Sequence, residues 1–269
     1  MKAINKVTLQ LSDLYGPRLR ALDSATKYPA IPTYHTLDKS RRKSPLLDED
    51  PISFRGTVWG YEKVDGTNGR IVLLPENSGW LIGSRDELLT AVGDLVVRDA
   101  LGIVATLSRI AERLTNPRRD MVVTAYLEVY GQQGEAAAQY GNRSVSSARL
   151  FDVSLVPVSI LDRDVEAVAR WRDHGGQEWL DEGQLDGFAE DQSVQRAPEL
   201  FALASHMLPT TVADMRVFME RYATTAAQLN GAPGRSEGLV LSSTDRRTKA
   251  KVRFADYDRT LALRADAAK

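Results

Sequence analysis

The chain has 269 residues, 43% apolar and 26% charged, a composition that excludes global disorder and a fibrous or collagen-like build. It has no cysteine, which excludes disulfides, thiolate zinc sites and a cysteine nucleophile, and its three histidines, His35, His174 and His206, lack ligand spacing. A net charge of −1 excludes a uniformly basic nucleic-acid coat, although local basic patches remain compatible with it. No apolar run is long enough to cross a bilayer, and the opening MKAINKVTLQLSDLYG lacks the apolar stretch and cleavage site of a signal peptide. The expectation is an intracellular, cytoplasmic protein with no membrane partner. The length suits one dominant domain.

Residues 1 to 55 carry Pro17, Pro29, Pro32, Pro45 and Pro51 with the basic run Lys39-Ser40-Arg41-Arg42-Lys43, and read as an extended N-terminal arm with short elements. The basic run reads either as a solvated loop or as a phosphate contact. Strand patterns follow at 57–61, 70–74 and 80–83. Residues 87–114 place Leu88, Val92, Leu95, Val96, Val104, Leu107 and Ile110 at helical spacing, interrupted near Gly102. Further strands are expected at 121–130 and 149–156, a charged helix near 165–171, and a polar, glycine-containing stretch near 175–187. A helix at 212–222, a loop at 230–234 and strands at 238–242 and 249–254 complete a mixed, largely antiparallel α+β pattern without internal repeats.

The segment WGYEKVDGTNGR, residues 59–70, sets Lys63 between Glu62 and Asp65 in a glycine-rich strand connection. Read alone, it is either a solvated turn or a loop presenting a lysine nucleophile. Glu128 interrupts the apolar run 121–130, and Glu237 stands at the mouth of the apolar strand from Gly238. A carboxylate at such a place costs desolvation unless it meets a donor or a cation. Lys249, Lys251 and Arg253 alternate on the last strand and so project to one face, where they attract an anion or pair with the glutamates.

Taken in order, Lys63-Val64-Asp65-Gly66, Ser84-Arg85, Leu127-Glu128-Val129-Tyr130-Gly131, Phe151-Asp152, Glu237-Gly238-Leu239-Val240 and Lys251-Val252-Arg253 resemble the nucleotidyltransferase motifs of covalent polynucleotide ligases and mRNA capping enzymes. The form Glu62-Lys63-x-Asp-Gly-Thr-Asn68 is most similar to the ATP-dependent RNA ligases of phages and RNA-repair systems. The likeness runs from about residue 57 to 254. It implies an α+β nucleotidyltransferase domain of the ATP-grasp-like ligase adenylation type over residues 56–269; relatives commonly carry a further domain after the last motif, and with residues 255–269 alone following it here, no separate C-terminal domain is expected.

The resemblance also implies a chemistry. A free lysine titrates near 10.4, so attack on the α-phosphorus of ATP needs an amine relieved of its proton by neighbouring cations or a metal. Lys63 would carry AMP as a phosphoramide and pass it to an RNA 5′-phosphate, after which an RNA 3′-OH would displace AMP. By resemblance, Glu62 reads the adenine edge, Glu128 holds the ribose, Phe151 stacks on adenine, and Lys251 and Arg253 grip the α-phosphate. Lys249 is the alternative register for that grip, and Arg253 replaces the family's usual second lysine. Asn68 and Arg85 handle the phosphate of the acceptor RNA, Arg85 also lying at the nucleotide, and Glu237 and Asp65 meet Mg²⁺ or Mn²⁺. The implied partner is RNA with 5′-phosphate and 3′-OH ends; without a downstream domain, the grip on RNA is expected from the N-terminal arm, including Arg41, Arg42 and Lys43, or from a partner protein. Three other readings share part of the evidence: an ATP-dependent DNA ligase, a capping-type guanylyltransferase and a non-catalytic RNA-end-binding module.

Overall fold

A computed structural model describes residues 9–38, 46–92, 99, 102–131, 135–141, 145–229, 231 and 234–267. In chain order the elements are α1 (Gly16–Ala25), β1 (His35–Leu37), β2 (Leu47–Pro51), β3 (Thr57–Lys63), β4 (Thr67–Leu73), β5 (Trp80–Ser84), β6 (Leu88–Ala91), α2 (Ile103–Ala111), β7 (Met121–Tyr130) and β8 (Ser147–Pro157). They continue with α3 (Val165–Asp173), β9 (Glu178–Trp179), α4 (Glu182–Asp191), β10 (Glu199–Ala204), α5 (Val212–Glu220), β11 (Gly238–Ser243), β12 (Lys249–Arg253) and α6 (Phe254–Ala267). All pairings between these strands are antiparallel, so the mixed, largely antiparallel α+β class holds. The described residues fall into two compact units.

One unit is drawn from Met1–Pro29, Gly66–Gln133 and Ser146–Gln195. Its sheet runs β6-β5-β4-β7-β8-β9. Alternation along β4 sends Ile71 and Leu73 into a core with α2 and α4, and Val72 and Leu74 into a core with α1 and α3. A sheet covered by helices on both faces explains why β7 reads as a nearly continuous apolar run. Local signals set the helix starts. Pro17 stands in the first turn of α1, and Asp164 caps α3 by accepting from the Ala167 N–H at 2.7 Å. Asp181 and Gln184 form a reciprocal capping box at the start of α4.

The other unit is drawn from Ala30–Asp65, Gly134–Val145 and Arg196–Lys269. Its sheet runs β10-β3-β11-β12, beside the β1-β2 ribbon. Val58, Leu239, Leu241, Ala250 and Val252 line one sheet face and pack against Val212, Met215 and Met219 of α5 and Tyr257 of α6. The opposite face carries the charged residues considered below.

Several elements depart from the sequence reading. Leu88–Ala91 is a strand, β6, and not the first turn of a helix, because pairing with β5 satisfies its backbone and buries Leu89. The stretch 175–187 holds β9 and the first half of α4. The N-terminal segment carries α1, whose Asp23 accepts from the Arg70 side chain of β4. The run Lys39–Lys43 and residues 230, 232 and 233 of the expected loop lie outside the described residues. No described helix is long and apolar enough to cross a membrane.

Candidate active site

Strand register builds the charged face of the four-stranded sheet. Gly238 of β11 lies opposite Lys63 of β3 on one side and Arg253 of β12 on the other, while Val240 lies opposite Tyr61 and Lys251. Directly opposed residues share a face, so Lys63, Arg253, Tyr61, Lys251 and Lys249 all project from one side of this sheet. Gly238 is the notch in that row. Its φ of 153° disfavours an L side chain, and a Cβ there would meet the Val252 carbonyl oxygen at 2.0 Å. The glycine also frees the preceding residue from strict alternation. Glu237 therefore reaches the Lys63 side, and its Oε2 pairs with the Lys63 Nζ.

Glu62 follows the other alternation. It is 2% exposed and faces away from Lys63, with its carboxylate accepting from the Thr225 hydroxyl, the Ala226 N–H at 2.7 Å and the Ala227 N–H at 3.1 Å. The two adjacent residues thus do different things: Glu62 ties β3 to the 225–227 turn, and Lys63 stands on the charged face. Just beyond, the Asp65 N–H donates to the Tyr140 hydroxyl at 2.5 Å. Burial pushes the Tyr140 phenol well above the ordinary tyrosine range, and the nearby Glu62, Asp65 and Glu237 carboxylates add to the shift while the Asp65 N–H opposes it. Sequence reading missed Tyr140, since nothing in Glu-Ala-Ala-Ala-Gln-Tyr marks it as the anchor of a loop 75 positions away.

At the far end of the row, the Arg253 guanidinium makes a two-point contact with Asp256, Nε to Oδ2 at 2.7 Å and Nη2 to Oδ1 at 3.1 Å. Arg259 Nη2 reaches the same Oδ1 at 2.8 Å. Asp256 is buried in the first turn of α6, and both arginines are about one-third exposed.

The remaining sequence candidates sit in the six-stranded unit. Asn68 of β4 lies opposite Glu128 of β7, which lies opposite Arg149 of β8, so these three share a face at one end of that sheet. Asn68 Oδ1 is buried with no hydrogen-bond partner, a cost that a bound group can relieve. Arg85 follows β5 at the same end, one residue past the Ser84–Gly69 pair, and is exposed. Phe151 occupies the irregularity in β8 where the register with β7 shifts. Its ring is half-buried, edge-on to Tyr28 at 5.0 Å and stacked with Tyr126 at 6.3 Å, so its orientation is fixed from behind. Thus Glu62, Lys63, Asp65, Glu237, Lys251 and Arg253 gather in one unit, and Asn68, Arg85, Glu128 and Phe151 in the other.

Among the described residues no group of three or more His, Cys, Asp or Glu side chains is placed to hold a metal ion. That argues against an all-protein cage there. Phosphate-handling Mg²⁺ or Mn²⁺ instead uses one or two carboxylates and takes its other ligands from phosphate and water. Glu237, beside Lys63, and the exposed Asp65 suit that kind of site.

The sequence matches the RNA ligase family over residues 56–255. The chain belongs to that family. Solved structures share its fold. A variant of the Naegleria gruberi RNA ligase with ATP and manganese has 12% identity over 88% of this chain and 62% of that one, with a TM-score of 0.51. The same ligase with pyrophosphate has 14% identity over 89% and 64%, with a TM-score of 0.50. An archaeal ATP-dependent RNA ligase is also similar, with 14% identity over 90% and 51% and a TM-score of 0.46. This RNA ligase-family chain therefore spans between half and two thirds of the length of these ligases. No curated protein matches its sequence.

Proposed function

We propose that this chain is an ATP-dependent RNA ligase that joins RNA 3′-OH and 5′-phosphate ends through a covalent lysyl-AMP intermediate. The observation that carries the reading is the cross-strand row Lys63–Gly238–Arg253 with Glu237 on the Lys63 amine, in a chain of the RNA ligase family. The row has a lysine amine, a carboxylate and a guanidinium on one sheet face, the groups that this chemistry needs.

In the first step the Lys63 Nζ attacks the α-phosphorus of ATP. The N–P bond forms, the bond to the bridging oxygen breaks, pyrophosphate leaves, and the amine's proton is lost to solvent. In the second, an oxygen of the RNA 5′-phosphate displaces Lys63 and takes AMP in a 5′–5′ anhydride. In the third, the RNA 3′-OH attacks that phosphate and AMP departs. Glu237 and Asp65 would hold Mg²⁺ or Mn²⁺ with the phosphates, and the ion supplies charge neutralisation. Lys251 and Arg253 bind the α-phosphate, Lys249 extending the same face. In the six-stranded unit Phe151 stacks on adenine, Glu128 takes the ribose hydroxyls, and Asn68 and Arg85 receive the acceptor phosphate. Glu62 acts at the adenine edge through the backbone it fixes, since its carboxylate is engaged by the 225–227 turn.

The nucleotidyltransferase module is the domain over residues 56–269. RNA grip beyond it comes from the N-terminal arm, including Arg41, Arg42 and Lys43, or from a partner protein, and the cytoplasm, which supplies ATP and RNA, is the place of action. The test is incubation with α-labelled ATP and Mg²⁺, then a denaturing gel. Label should remain on the protein, vanish in Lys63→Ala, and transfer to 5′-phosphorylated RNA. A labelled Lys63→Ala protein would remove Lys63 from the mechanism, and labelling by GTP in preference to ATP would favour the capping reading.

A further inference from the structure

The contact between Arg253 and Asp256 carries an inference about how the phosphate grip is built, and it rests on the nucleotide chemistry proposed above. Arg253 ends β12 on the same cross-strand row as Lys63, so its guanidinium position relative to the Lys63 amine is set by two things. The sheet fixes its Cα. The long side chain still has several rotatable bonds, and an unanchored arginine would sample many positions.

Asp256 removes that freedom. It is 1% exposed, and its two oxygens accept from the Nε and Nη2 of Arg253, a fork that fixes the plane as well as the place of the guanidinium. The Asp256 backbone is set in the first turn of α6, where its carbonyl also accepts from the Thr260 hydroxyl at 2.8 Å. A single buried carboxylate beside Arg253 would also cancel its charge and weaken its pull on a phosphate. Arg259 changes that balance, because it places a second guanidinium on the Oδ1 that Arg253 uses. The one carboxylate is therefore shared between two guanidinium groups and is not spent on Arg253 alone.

We propose that Asp256 is a positioning residue that presents the Arg253 guanidinium to the phosphates of ATP, and that Arg259, by sharing the Asp256 carboxylate, weakens that carboxylate's hold on the Arg253 charge. Asp256 does not itself touch nucleotide. It acts through Arg253, and this distinguishes it from a helix-stabilising acid that would act on folding alone.

The test is a double-mutant cycle on single-turnover lysyl-AMP formation in the full chain, with the rate and the half-saturating ATP concentration measured separately and melting temperature as the folding control. Asp256→Asn should weaken ATP saturation or slow the step by about tenfold, the scale of one charge-assisted contact. In an Arg253→Ala background the same change should cost less than about twofold, since nothing is left to position. Asp256→Glu keeps the charge and displaces the fork, so it should recover part of the loss and supplies the cycle if the asparagine variant melts early. Arg259→Gln should raise the half-saturating ATP concentration, and more so at low salt. Equal losses from Asp256→Asn with and without Arg253, or a variant indistinguishable from the unaltered chain, would overturn the inference. Failure of the unaltered chain to take label would instead overturn the nucleotide chemistry on which it rests.

Discussion

The Tyr140 hydroxyl oxygen lies 2.5 Å from the backbone nitrogen of Asp65, two positions past Lys63. Tyr140 is buried, and its ring packs away from solvent in a segment remote in sequence. One hydrogen bond therefore fixes where the chain goes immediately after the proposed nucleophile.

Tyr140→Phe keeps the ring and deletes this acceptor. Adenylylation should slow by about tenfold, because a nucleophile displaced by a fraction of an ångström loses attack geometry. The half-saturating ATP concentration should change little. Rapid-quench measurement of lysyl-AMP formation checks the rate, and an unaltered rate would show that the loop holds itself.

Glu62 and Glu237 should separate stability from chemistry. Glu62→Ala removes the acceptor of the buried Thr225 hydroxyl and of the Ala226 N–H, leaves the Ala227 N–H only its Thr225 contact, and should cost about 2 kcal/mol of unfolding free energy. Glu237→Ala removes a partly exposed partner of Lys63 and should leave melting within a few degrees while reducing adenylylation at least about a hundredfold. Denaturant melts beside the labelling assay test both. Large destabilisation by Glu237→Ala would make its pair with Lys63 a structural bridge.

Arg70 is fully buried, and Asp23 of α1 meets it with Oδ1 at 2.5 Å from Nη2 and with its carbonyl at 3.0 Å from Nη1. Burial draws the Arg70 guanidinium below the usual arginine range, and the Asp23 charge resists that shift. Asp23→Ala leaves a buried charge without its partner and should cost about 3 kcal/mol or more. Chemical denaturation measures it. A loss under about 1 kcal/mol would show that α1 contributes little to the unit.

His35 is buried, with Nε2 at 2.9 Å from the Thr210 carbonyl and Nδ1 at 2.6 Å from the Tyr257 hydroxyl. A neutral ring protonated on Nε2 donates to Thr210 and accepts from Tyr257. Burial lowers its proton affinity, as does Arg264, while the Thr210 bond and Glu49 oppose the shift. Because the folded state binds this proton less readily than the unfolded chain, the contribution is complete above about pH 6.5 and is lost as the pH falls through the lower folded value. Unfolding free energies from pH 8 down to 5 should decline, and the His35→Gln profile should be flatter.

The strands carrying Lys63 and Glu128 were legible because their apolar runs are long and end in glycine-rich connections; β7 occupies the expected residues 121–130. The Lys63–Glu237–Arg253 neighbourhood followed from motif order, yet its geometry did not, since register between β3, β11 and β12 is a long-range property. The strand β6 was hidden by leucines that also fit helical spacing, and only the β5 edge decides between them. Two missed helices did carry local marks, Pro17 in α1 and the Asp181–Gln184 box in α4. Asp256 and Tyr140 had none, because a carboxylate or phenol becomes an anchor only when folding brings its partner to it.

Glu62 and Lys63 point to opposite sides of one strand, so a single layer of backbone separates the packed interior from the reactive amine. Leu239 lies beside Glu62 on the packed side, with Val252 beyond it on the next strand. The backbone ladder sets the spacing of Lys63 and Arg253 on the far surface, and packing of these side chains against α5 and α6 steadies the strands that carry them. Exchanging one of these aliphatic side chains for another should therefore tune the proposed adenylylation from the face opposite the charged row, without altering any group in it.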